Sequence, residues 1–219
     1  MTYTRADVAA AIDHTLLKPE TTTDQVLALL AEANQLGVGA VCISPCMLPL
    51  PDDLLDDGIE LCTVIGFPNG TVDPRIKGAE AALAYAAGAV QIDMVMNLGL
   101  AKGKDWEGVE TDIAEVRAAV PAALLKVILE TGALSDEELV TCCEIAEAAG
   151  ADFVKTSTGF HPTGGATLHA VELMATTIGG RLGIKASGGI RDSATALAML
   201  DAGATRLGTS SSKAILGGL

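Results

Sequence analysis

Short apolar runs alternate with longer stretches of helical character along the whole chain, and a glycine marks most of the junctions. Gln-Leu-Gly37 precedes Val-Gly-Ala-Val-Cys-Ile, Asp-Asp-Gly58 precedes Ile-Glu-Leu-Cys-Thr-Val-Ile, and Ala-Ala-Gly88 precedes Ala-Val-Gln-Ile-Asp-Met-Val-Met. Ala-Ala-Gly150, Gly179-Gly180 and Asp-Ala-Gly203 repeat the device before later runs. A residue just past a helix end often takes a left-handed conformation, so each such glycine reads as a helix stop followed by a strand. The starts are equally legible. Thr22 with Gln25 and Ser135 with Glu138 have capping-box spacing, and Asp73-Pro74 pairs an N-cap with proline in the first turn. The apolar runs predict strands at 12–16, 38–43, 60–65, 89–95, 124–129, 151–156, 181–186 and 204–208. They are near-continuous rather than cleanly alternating, as in parallel strands covered by helices.

Eight strands with helices between them, and no break in composition, predict a single α/β domain over 1–219, a closed (β/α)8 (TIM) barrel rather than an open doubly wound sheet. The length of 219 residues suits one such domain. Composition then narrows the setting. The chain is 49% hydrophobic, with a mean hydropathy of +0.40. Gly, Pro or charge interrupts every apolar run well short of the ~18 residues of a membrane span. The N-terminal segment lacks signal-peptide grammar, and five cysteines without a CxxC pair suit free thiols, so a cytoplasmic protein is expected. A net charge of −14 with no basic run argues against a nucleic-acid partner. The three histidines show no metal-ligand spacing, so a zinc site is not expected, and no cofactor is called for.

In barrels of this type the active site lies at the C-terminal ends of the strands, and a phosphate commonly binds near strands seven and eight. Those ends carry Asp13, Cys42, Asp93, Lys126, Lys155 and Lys185. A lysine in an apolar strand is costly to bury as an unpaired ammonium. Desolvated beside a second cation, it becomes a nucleophile toward carbonyls. Lys155 and Lys185, on successive strands, fit that pattern. Lys126 fits either a catalytic role or an ion pair with Asp93 or Glu130. Ser187-Gly188-Gly189 and Gly208-Thr209-Ser210-Ser211 each precede a helix and offer backbone amides to a phosphate.

Several blocks carry a resemblance: Ile-Asp-His-Thr-Leu-Leu-Lys-Pro (12–19), Val-Cys-Ile-Ser-Pro (41–45), Ile-Asp-Met-Val-Met-Asn (92–97), Leu-Lys-Val-Ile-Leu-Glu-Thr (125–131), Lys-Thr-Ser-Thr-Gly-Phe (155–160), Ile-Lys-Ala-Ser-Gly-Gly-Ile-Arg (184–191) and Leu-Gly-Thr-Ser-Ser (207–211). Together they resemble the 2-deoxyribose-5-phosphate aldolase family over residues 8–213. The resemblance implies a metal-free class I aldolase that cleaves 2-deoxyribose 5-phosphate reversibly to acetaldehyde and glyceraldehyde 3-phosphate, in deoxyribose phosphate breakdown. It implies Lys155 as the Schiff-base lysine, and Asp93 with Lys185, through a water, in proton transfer. It further implies that Gly159, Ser187, Gly188, Gly189, Gly208, Ser210 and Ser211 hold the phosphate, and that Asp13, Cys42 and Lys126 line the pocket. The family's tendency toward homodimers and homotetramers implies self-association.

Two positions depart from the family pattern. The chain ends without the tyrosine that some members carry on their last segment, and Phe160 stands where some carry a lysine. Two other readings of the residues stay open: an isomerase using Asp93 and Lys185 without a covalent step, and a sugar-phosphate-binding module without catalysis.

Overall fold

The computed structural model describes residues 3–219; the first two positions of the domain expected over 1–219 lie outside the described residues. The chain begins with α1 (Arg5–Ala10) and then alternates strand and helix: β1 (Ile12–Leu16), α2 (Thr23–Leu36), β2 (Ala40–Ile43), β3 (Glu60–Ile65), α3 (Pro74–Ala86), β4 (Gln91–Val95), α4 (Leu98–Lys102), α5 (Trp106–Ala119), β5 (Leu124–Ile128), α6 (Asp136–Ala148), β6 (Phe153–Lys155), α7 (Leu168–Ile178), β7 (Gly183–Ser187), α8 (Ser193–Asp201), β8 (Arg206–Thr209) and α9 (Ser212–Gly217). Every strand pairs in parallel with the next, and β8 pairs with β1, closing the barrel.

The punctuation works as its chemistry predicts. The Thr22–Gln25 and Ser135–Glu138 capping boxes both form, and a third, Thr4–Asp7, opens α1. Asp73 accepts from the Arg75 amide with Pro74 in the first turn of α3. Gly37 and Gly179 end α2 and α7 in the left-handed conformation, at φ 67° and 53°. Gly58 is the exception: it ends no helix. Between β2 and β3 the chain makes one 3-10 turn, Pro45–Met47, and then an irregular loop. Pro45, Pro49 and Pro51 remove amide donors and bias the residues before them away from helical angles, so the segment has no route to an α-helix. Leu48, Leu50, Leu54 and Leu55 tie the loop down on the core, and the Asn34 side chain bonds Leu54 O and the Asp56 amide.

The strands are buried on both faces, but the two faces differ in kind. Ile12, Val41, Ile43, Ile92, Met94, Leu125, Val127, Val154, Ile184, Ala186 and Leu207 belong to one continuous apolar cluster with the helices. The alternate positions point into the barrel and carry Asp13, Cys42, Cys62, Asp93, Lys126, Lys155, Lys185 and Gly208. Hydrophobic burial therefore builds a shell between sheet and helices, and the cylinder inside is ionic. A separate buried pair, Lys77 on α3 with Asp112 on α5 at 2.7 Å, braces that shell. Lys77 Nζ also donates to Val95 O at 2.9 Å, and Asp112 accepts from the Asn97 amide, so the end of β4 is anchored from behind.

Candidate active site

The barrel brings together six of the residues singled out in the sequence. Asp93, in the middle of β4, is the hub. Its Oδ1 accepts from Lys126 Nζ at 2.8 Å, and its Oδ2 accepts from Lys155 at 2.8 Å and Lys185 at 2.7 Å. Strand register explains the convergence: Asp93 lies opposite Lys126, and Lys155 lies opposite Lys185. Asp13 closes the group from β1. It pairs with Lys185, stands 3.7 Å from Lys126, and is backed by Arg206 at 3.4 Å. Lys126 and Lys185 thus each meet both carboxylates, whereas Lys155 meets only Asp93.

Sequence position alone had put these groups at strand ends. Only Lys155 is the last residue of its strand; Asp93, Lys126 and Lys185 are third in theirs, deeper in the barrel. Lys155 and Lys185 do not confront each other as bare charges either, because Asp93 Oδ2 stands between them. Asp93 and Lys185 are in direct contact. Of the two partners considered for Lys126, Asp93 is the one it meets. Glu130 turns away and accepts from Thr158 Oγ1 at 2.6 Å.

Electrostatics follow from this geometry. Burial alone would raise the Asp93 carboxyl, but Lys126, Lys155 and Lys185 outweigh it and hold its pKa well below the usual range. Burial likewise works against Asp13, and Lys185 with Lys126 lowers it. Burial opposes the Lys185 ammonium, yet Asp13 and Asp93 hold its pKa well above the ordinary lysine value; Lys126 is raised against burial in the same way, first by Asp93. The contacts therefore favour the carboxylate form of Asp93 and the ammonium form of Lys185.

A cavity of about 380 Å³ opens above this cluster. Lys155 lines it; Lys126, Lys185, Asp13 and Asp93 do not, and all four have no exposed surface. The opposite wall consists of the expected turns: Gly159, Ser187, Gly188, Gly189, Gly208, Ser210 and Ser211 all line the same cavity. Gly188 and Gly189 are both left-handed, at φ 88° and 84°, and a Cβ on Gly188 would meet Gly165 Cα at 2.8 Å. Successive amides in such a turn form an anion-binding concavity. The buried Ser187 Oγ has no hydrogen-bond partner within the protein, whereas the Ser211 amide is already bonded to Thr209 Oγ1. Lys18 and Arg191 add positive charge to this wall. Phe160 stacks edge-on against Phe67, with ring centroids 5.2 Å apart, and makes its side apolar.

Cys42 is fully buried beside Cys62 and Val64. Cys62 was missed in the sequence, and so was Arg206. Cys62 Sγ donates to Asp93 Oδ1 at 3.2 Å, and Lys126 Nζ donates to Cys62 Sγ at 3.4 Å. The signal was present: Cys62 occupies on β3 the inward register position that Cys42 occupies on β2.

Comparison with known proteins identifies the family. The family model for DeoC/LacD family aldolases matches residues 7–216. The chain belongs to the DeoC/LacD aldolase family. A deoxyribose-phosphate aldolase from Corynebacterium diphtheriae is 59% identical over 214 residues, covering 97% of each chain. Among solved structures, an aldolase called QR15 superposes with a TM-score of 0.91 at 40% identity, over 96% of this chain and 95% of that one. A tetrameric deoxyribose phosphate aldolase from Aeropyrum pernix gives 0.89 at 36% identity, over 98% and 91%. No helix among the described residues is long and apolar enough to cross a membrane.

Proposed function

We propose that the chain is a class I deoxyribose-phosphate aldolase with Lys155 as its Schiff-base nucleophile. One observation carries the assignment of the nucleophile: of the three lysines in the ionic cluster, Lys155 alone lines the cavity. It is also the lysine with a single carboxylate partner, so drawing it into a covalent bond disturbs the cluster least.

The reaction follows from the positions. Lys155 Nζ attacks the C1 aldehyde of open-chain 2-deoxyribose 5-phosphate, while the Gly188-Gly189 and Gly208–Ser211 turns hold the phosphate at the far end. The proton leaving Nζ departs through Asp93 Oδ2, the acceptor it shares with Lys185. Asp93, with Lys185 hydrogen-bonded behind it, returns that proton to the carbinolamine hydroxyl, which leaves as water and gives the imine. The imine is an electron sink. The Asp93–Lys185 pair takes the C3 hydroxyl proton, the C2–C3 bond breaks with its electrons moving into the imine, glyceraldehyde 3-phosphate leaves and an enamine remains on Lys155. The same pair returns the proton to the enamine carbon, and hydrolysis by water gives acetaldehyde and free lysine. Holding nucleophile, proton donor and anion site in one rigid frame accounts for much of the rate, since pre-oriented reactants gain about 7–11 kcal/mol.

The test is borohydride reduction in the presence of acetaldehyde, read by peptide mass mapping. A reduced adduct on the Lys155 peptide, absent from Lys155→Leu, is expected; a folded enzyme that turns over substrate without an adduct would favour the non-covalent isomerase class. Self-association into a homodimer or homotetramer belongs to the same proposal. Ile76 and Leu83 on α3, 59% and 74% exposed, supply an apolar surface for it. A cytoplasmic setting is supported by five cysteines, all free.

A further inference from the structure

The aldol chemistry uses neither thiol beneath the cavity, yet the thiols and Asp93 form a converging donor set. The Sγ atoms of Cys42 and Cys62 and a carboxylate oxygen of Asp93 all lie within 4.8 Å of one another, and all three residues are fully buried. The closest approach is Cys62 Sγ to Asp93 Oδ1, at 3.2 Å. A tetrahedral zinc bound at about 2.3 Å to sulfur and about 2.0 Å to oxygen sets its ligands about 3.8 Å apart for two sulfurs and about 3.5 Å for sulfur and oxygen. Cys62 and Asp93 already stand near that spacing, and the three donors sit on adjacent strands.

Charge is the obvious objection, because three lysines surround Asp93. The exchange leaves the balance unaltered. Three lysines, Arg206 and two carboxylates leave the cluster formally two charges positive. A divalent cation that replaces the protons of two thiols adds two charges and removes two. The contacts that are given up are those of Lys126 with Asp93 Oδ1 and with Cys62 Sγ, and Lys126 keeps Asp13 at 3.7 Å. Leu17, which lines the cavity, packs with Phe67 against the buried thiols.

We propose that Cys42, Cys62 and Asp93 form an inhibitory site for a thiophilic divalent cation of the zinc class. Each thiol that ligates releases its proton to solvent, a water takes the fourth position, and the metal takes Asp93 Oδ1 from Lys126 and makes the carboxylate a poorer proton acceptor for Lys155 on Oδ2. The ion is an antagonist of the Schiff-base machinery, not a part of it.

The experiment titrates the reduced, chelator-stripped full-length enzyme with cobalt(II) and zinc(II) chloride. Cobalt is expected to bind one per chain, with tetrahedral visible bands and a sulfur-to-metal charge-transfer band. Zinc should displace it, releasing protons in dilute buffer, and should suppress aldol cleavage until a chelator is added. Cys62→Ala and Cys42→Ala, each checked for folding by circular dichroism, should weaken cobalt binding at least about 100-fold, while C46S, which removes the exposed thiol, binds as wild type. No cobalt binding, binding without the charge-transfer band, or equal binding in C62A and C42A would each overturn the proposal. The metal spectrum reads the site directly, so its failure would leave the aldolase assignment standing.

Discussion

Replacing Asp93 by asparagine removes the negative charge that three lysines share. Lys155 loses its sole carboxylate, and Lys126 and Lys185 fall back on Asp13 alone. At an effective dielectric of about 20, each close contact is worth about 4 kcal/mol, so three contacts amount to about 12 kcal/mol before costs. Most of that sum is cancelled, because the variant no longer has to desolvate a carboxylate, at several kcal/mol. Removing one partner from a buried ionic group typically costs about 3–5 kcal/mol, and the same is expected here. In a chain of this size that corresponds to a fall in Tm of about 6–20 °C. The cost is that of uncompensated cations, so adding Lys126→Met to the variant should restore at least about 1 kcal/mol. That coupling is readable in a double-mutant cycle by urea unfolding. Deoxyribose-phosphate cleavage should fall by about 10²–10⁴ in kcat. An Asp93→Asn enzyme that melts within about 2 °C of wild type, or a Lys126→Met addition that destabilises it further, would refute the hub.

The same electrostatics set a pH window. Asp93 and Asp13 have folded pKa values below the ordinary 3.8, so their stabilisation is complete above that value and drains away as pH falls below it. Lys185 and Lys126 are raised above 10.5, so their contribution is complete below that pH and is lost as it rises further; pH-dependent unfolding of wild type should show both arms, and Asp93→Asn a diminished pair. Lys77→Met should cost about 3–5 kcal/mol by stranding Asp112 while the folded fraction keeps kcat within about twofold, and adding Asp112→Leu should recover part of the loss in thermal melts. Gly208→Ala should lower kcat/KM by about 100-fold in steady-state assays, because a Cβ there meets Ser187 Oγ at 2.2 Å and Lys185 Cε at 3.0 Å.

Much of this molecule was legible without coordinates, because its local rules agree with one another. Capping boxes and glycine stops delimit the helices chemically, and the count of apolar runs leads to the closed barrel. What stayed hidden depends on register. The runs looked uniformly apolar, yet they carry two faces of opposite character, and periodicity alone does not tell which residues meet across strands. Cys62 looked like strand filler until β3 was aligned with β2. Lys126 had two candidate partners in the chain, and only the pairing of β4 with β5 chose Asp93. The loop before Gly58 misled because the glycine signal was read while three prolines nearby were not weighed.

The division between an apolar shell and an ionic cylinder also bears on how such a scaffold acquires new chemistry. Side-chain volume is policed in the shell, whereas the cylinder is policed by its sum of charges. A lone exchange of sign inside the barrel leaves an orphan that folding registers at once. A cation and its anion exchanged together leave the sum intact and are nearly silent to the shell. Descendants of this barrel should therefore diverge inside by coupled, charge-conserving steps, and a library built on single inner substitutions would miss most of the routes open to it.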